Sequence, residues 1–110
     1  MVTLDTIENL VAALVDARKR HLQATMVLEV VRYDLAKRKA QISCDESVIT
    51  GKNADARAAQ LALALAADPE ILRLRGEEEV CQREVVLADI DVEAARARNR
   101  LTEAWLLCEE

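Results

Sequence analysis

The chain has 110 residues, 52% of them apolar but only 2% aromatic, with no Phe and a net charge of −5. Two glycines and one proline leave few places for turns, which argues against a sheet and for an all-α fold with a thin core of Ala, Leu and Val. Residues 1–53 hold eight Lys/Arg against seven Asp/Glu, and residues 54–110 hold seven against thirteen, so the acidic second half is a poor match to phosphates and free nucleic acid is disfavoured as a partner.

No stretch approaches the ~18 consecutive apolar residues of a membrane span. The start has no basic segment leading into an apolar run, because Asp5 and Glu8 interrupt it, so a cytoplasmic protein without a membrane is expected. Cys44, Cys81 and Cys108 are odd in number and widely spaced, which reads as free thiols in a reducing compartment.

The first element is a helix over about residues 3–43, opened by Thr3 or Asp5 as a cap. Its seam is Ile7, Leu10, Leu14, Ala17, His21, Ala24, Leu28, Val31, Leu35, Arg38 and Ile42. Spacings of three and four place these side chains on one face, and recurrence at seven favours supercoiling against a partner helix. A loop over 44–53 follows, rich in small and polar residues around Gly51.

Asn53 is a good cap for a short helix over about 54–67, with Asp55 complementing the dipole in its first turn. The apolar run Leu61–Ala67 calls for cover on every side and is expected to plug one end of a bundle. Asp68-Pro69-Glu70 then combines an acidic cap, a proline whose missing N–H is harmless, and a first-turn carboxylate. A third helix over about 69–108 follows, although continuation of the second helix through a kink at Pro69 stays open. Its seam is read as Val80, Arg83, Leu87, Ile90, Ala94, Ala97, Leu101, Ala104 and Cys108.

Two helices of this length, joined by a loop and a short helix, fold back most economically as a long antiparallel, coiled-coil-like hairpin. The expectation is therefore a single helical domain over 1–110 that assembles into a helical bundle. Near the paired ends Leu10, Val11, Leu14 and Val15 spread around one helix, and Trp105, Leu106 and Leu107 around the other. One stripe per helix is all a hairpin buries, so these residues are the candidate self-association or partner-binding site, with a homodimer the favoured assembly. Trp105 is the expected hot spot.

Chemistry finds little support. His21 is the only histidine and lies on a seam, where a polar register device is the ordinary reading. Arg38 and Arg83 also sit on seams, where their heads can snorkel or pair with acids. Thr50-Gly51-Lys52-Asn53 lacks the earlier glycine, the hydroxyl residue after lysine and the preceding strand of a phosphate loop. Asp89 and Asp91 lie on different helix faces, and the basic clusters Arg18-Lys19-Arg20 and Lys37-Arg38-Lys39 form no stripe and lack interleaved aromatics. No catalytic, cofactor-binding or metal-ligating residue is assigned, and no enzyme or cofactor is expected.

Thr50-Gly51-Lys52-Asn53, then Arg57, Gln60 and Leu61, then Asp68-Pro69-Glu70 and a long charged helix, resembles a pattern in small helical proteins of bacteriophages and prophages. The similarity spans about residues 49–107. It implies a phage origin and a bacterial host cytoplasm, without a mechanism. Thr50, Gly51, Lys52, Asn53 and Arg57 form a candidate partner loop, although a loop-to-helix corner, with Asn53 as cap and Arg57 one turn later, suffices to explain the motif. The functional expectation is a non-catalytic, self-associating accessory protein that binds another protein as an adaptor or as an inhibitor of a host factor. The alternatives are an architectural component of a virion or other assembly, and a nucleic-acid accessory factor working through the first helix.

Overall fold

The computed structural model describes residues 2–109, and every regular element among them is a helix: α1 (Leu4–Ser43), α2 (Ala54–Ala67) and α3 (Pro69–Glu109). α1 packs against α3, with α2 in the connection, giving a helical hairpin with a short middle helix. Each boundary has a local cause. The Thr6 N–H donates to Thr3 Oγ1 at 3.2 Å and the Ile7 N–H to Thr3 O at 3.1 Å, which fixes the start of α1. Asn53, extended at φ −131 and ψ 171, accepts the Ala56 N–H through its side chain at 2.8 Å.

Asp68 settles how α2 and α3 are joined. Its backbone is extended at φ −73 and ψ 120, which stops α2, while its side chain accepts the Ile71 N–H at 3.0 Å and starts α3. Pro69 takes the first position of α3, where a missing N–H costs nothing, so the two helices are separate.

The chain forms two compact units, one of Met1–Met26 with Gln82–Glu110 and the other of Val27–Cys81. Within Val27–Cys81, Leu35, Ile42, Ile71 and Leu74 make a core against which Leu61, Ala64 and Leu65 of α2 pack. Ile71 is 0% exposed, and full burial of such a side chain stabilises by about 1.5–3 kcal/mol. Leu28, Val31 and Cys81 are buried in the same unit. In the other unit only Ala17, Val92 and Ala95 are buried among the described residues. Its remaining inner positions, among them Leu10, Leu14, His21, Ala88 and Leu106, are half-buried.

Two expectations need correction. No residue of α2 is fully buried, and Leu63 is 72% exposed, so the run Leu61–Ala67 is covered on one side only. The larger correction concerns α3. Every α1 seam position is buried or half-buried, but every position assigned to the α3 seam, from Val80 to Cys108, is exposed. The inner face of α3 is instead Ile71, Leu74, Glu78, Cys81, Val85, Ala88, Val92, Ala95, Asn99, Thr102 and Leu106. Both sets recur at seven, and at about 100° per residue they lie roughly 160° apart around the helix. The Asp68 cap places Ile71 and Leu74 in the first two turns against α1, and all later inner positions follow from them.

Candidate functional site

The loop-to-helix corner is a closed set of hydrogen bonds. Gln60 Oε1 accepts the N–H groups of Thr50 at 2.8 Å and Gly51 at 2.7 Å, and its Nε2 donates to Thr50 Oγ1 at 3.0 Å. Arg57 Nε donates to Gly51 O at 2.8 Å. A Cβ on Gly51 would meet backbone atoms of Ala56 and Arg57 at 2.9 Å, so only glycine lets the loop approach the helix this closely. Thr50, Gly51, Asn53 and Arg57 therefore hold the corner together, and Lys52 alone of the candidate loop residues has an exposed side chain with no assigned role in it.

A second fixed point joins α1 to the α2–α3 junction. Arg38 donates from Nε to Asp68 Oδ2 at 3.0 Å and from Nη2 to Asp68 Oδ1 at 2.7 Å, a two-pronged pair whose carboxylate also caps α3. The Arg38 guanidinium, helped by the Ile71 N–H, holds the Asp68 carboxyl below its ordinary value against partial desolvation, and Asp68 raises Arg38 in return. Ser47 lowers Asp45 through side-chain and backbone bonds, and Arg73 lowers Glu70. Arg73 also reaches Glu77, and Arg32 pairs with Glu78 at 3.3 Å, so this acidic run is engaged within the chain. These charges are paired with one another or with backbone groups of the same unit.

Among the described residues, no group of three His, Cys, Asp or Glu could hold a metal ion, and no helix is long and apolar enough to cross a membrane. Cys81 is buried, Cys44 and Cys108 are exposed, and all three are free. An open, largely apolar groove of about 540 Å³ in the Val27–Cys81 unit is lined by Val27, Val31, Gly76, Val80 and Cys81 beside Arg73 and Glu77.

What is exposed is more informative than what is enclosed. On α3, Leu87 is 62% exposed, Ile90 57% and Leu101 71%, with exposed Ala94, Ala97 and Ala104 between and beyond them. This is a complete heptad stripe facing away from α1. α1 carries an outer set of its own in Leu4, Val11, Val15, Leu22 and Met26. Comparison with protein-family models, curated proteins and solved structures found no match to this chain. The surfaces themselves must therefore carry the functional reading.

The seven end residues singled out by sequence divide between two roles. Leu10, Leu14 and Leu106 are half-buried on the inner faces of their helices, whereas Val11, Val15, Trp105 and Leu107 are exposed. Sequence reasoning assigned the Leu87–Ile90–Leu101 stripe to the wrong partner, since it is more apolar than the inner face it was mistaken for. The inner face includes Glu78, Asn99 and Thr102, and Asn99 Oδ1 is buried with no hydrogen-bond partner. The signal available was the seven-residue series running forward from Ile71 and Leu74, anchored by the Asp68-Pro69 cap.

Proposed function

We propose that this chain is a non-catalytic helical interaction protein that self-associates and binds another protein, a phage-type accessory factor working in a bacterial host cytoplasm. The observation that carries the reading is the outer stripe of α3, where large aliphatic side chains recur at coiled-coil spacing on a face the chain does not cover. A lone hairpin has no use for that pattern, and a second helix laid on it buries Leu87, Ile90 and Leu101 together. The outer side chains of α1 supply a second apolar surface, suited to a different protein, and exposed Glu84, Asp89 and Asp91 on α3 suit a basic one. The resemblance of the corner motif to phage proteins supports the setting.

Light scattering over a dilution series tests the first half. The expected result is a mass above one chain that falls on dilution, and a single-chain mass up to on the order of 100 µM contradicts it. For the second half, capture from bacterial lysate by the wild type should be lost on Leu22→Gln with Met26→Gln. Capture unchanged by these substitutions places the partner elsewhere.

A further inference from the structure

We propose that the outer stripe of α3 pairs with the same stripe of a second copy, antiparallel, about a two-fold axis midway between Ala94 and Ala97. This rests on the self-association proposed above and specifies its geometry. The stripe from Arg83 to Cys108 lies within one compact unit, and all its positions are exposed. With the axis so placed, the layers from Leu87 to Ala104 join complementary residues, and Arg83 falls opposite Cys108 at each end. Ala94 meets Ala97 of the second copy, Ile90 meets Leu101, and Leu87 meets Ala104. Large side chains thus face small ones, and backbones approach closely at the centre, as interdigitated packing requires.

The flanking charges choose the same register. Antiparallel helices bring like-lettered flanks together, so Asp91 faces Arg98 of the second copy and Glu93 faces Arg100, each twice by symmetry. Val86 and Leu107, both exposed in the single chain, cover one another further out. Sliding one heptad in one direction brings Glu84 to Arg98 but sets Asp91 against Asp91 and Glu93 against Glu93 at the centre. The opposite slide sets Arg98 against Arg98 and Arg100 against Arg100. Parallel pairing sets Glu93 of one copy against Arg98 of the other, but it stacks the three alanine positions on themselves and brings Glu79 to Glu84. Of these arrangements, the register centred between Ala94 and Ala97 is the one in which large residues face small ones and no like charges meet on the flanks. Glu93 already holds Arg96 at 2.8 Å on the surface, and Arg100 of the second copy joins or replaces that exposed contact.

The test is a charge-swap pair. A basic variant carries Asp91→Arg and Glu93→Arg, and an acidic one carries Arg98→Glu and Arg100→Glu. Sedimentation of each alone should show self-association weakened about a hundredfold, because every flanking attraction becomes a repulsion, while an equimolar mixture recovers wild-type affinity as a heterodimer. Wild-type-like self-association of either variant, or a mixture without preferential pairing, overturns this geometry and leaves self-association standing. A wild type that stays single-chain overturns both. Circular dichroism establishes that the variants are helical. Independently of the swap, Ala94→Cys with Ala97→Cys, on a background of Cys44→Ser, Cys81→Ala and Cys108→Ser, should oxidise to a covalent dimer. Failure to cross-link while the protein self-associates also overturns the proposal.

Discussion

The two compact units solve the same packing problem with different materials. Val27–Cys81 buries Leu28, Val31, Leu35, Ile42, Ile71 and Leu74, draws α2 over them, and ties its end with the Arg38–Asp68 pair. The unit of Met1–Met26 with Gln82–Glu110 buries two alanines and a valine, while Leu87, Ile90 and Leu101 point outward. Both units leave large apolar side chains exposed, Leu63 and Leu72 among them in the first, but only the first also buries a set of them. The second, whose largest buried side chain is a valine, has the composition of a half-finished core. Stability should therefore be concentrated in the first unit and interaction in the second.

The sharpest break in that comparison is a pair of core truncations. Ile71→Ala removes a fully buried side chain and should cost about 3–5 kcal/mol in urea unfolding, whereas Val92→Ala in the thinner core should cost about 1–2 kcal/mol. Equal costs would mean that the two units are packed alike.

The two glycines give a smaller pair with opposite signs. Gly51→Ala forces a Cβ to 2.9 Å from helix backbone and should destabilise by about 1–2 kcal/mol, opening the corner that Gln60 and Arg57 close. Gly76→Ala meets nothing within 4 Å on a helix and should stabilise by about 0.5–1 kcal/mol. Thermal melts of both variants distinguish a glycine required by close approach from one that is merely tolerated.

How much of this could be read in the sequence also divides by region. The α1 face was legible because its inner stripe runs at spacings of three and four along the whole helix, from Ile7 to Ile42, whereas the outer set Leu4, Val11, Val15, Leu22 and Met26 lies in its N-terminal part. The Asp68-Pro69-Glu70 start and the Asn53 cap were legible for a similar reason, since a cap is a local rule and both side chains do cap their helices. The α3 face was not. Two stripes of the same period compete there, and the more apolar one, with Leu87, Ile90 and Leu101, faces outward, while the face against α1 includes Glu78, Asn99 and Thr102. Hydrophobicity ranks faces by how much they gain from cover, and does not say which chain covers them. Gln60 appeared only as part of a motif, because its role depends on a loop folding back across ten residues to place Thr50 at its amide.

A still smaller effect is expected from pH. Asp68, Asp45 and Glu70 all have lowered carboxyl values in the folded state, so the unfolded chain binds protons more readily and stability rises with pH across their titration. Their contribution is fully present above the unfolded value of about 4 and is lost as pH falls below it toward the lowered folded values. Asp68→Asn should flatten this acid limb. An unchanged limb would remove the Arg38–Asp68 pair as a source of stability, and all three groups belong to the Val27–Cys81 unit.

The central claim is that the outer face of α3 is a seam waiting for a second helix. Its most direct test is sedimentation equilibrium of a triple variant, Leu87→Gln, Ile90→Gln and Leu101→Gln, beside the wild type, with helicity followed by circular dichroism. The account predicts a self-associating wild type and a single-chain variant of undiminished helicity, because these side chains lie outside the fold of one chain. A variant that keeps the wild-type mass, or one that unfolds, would contradict it.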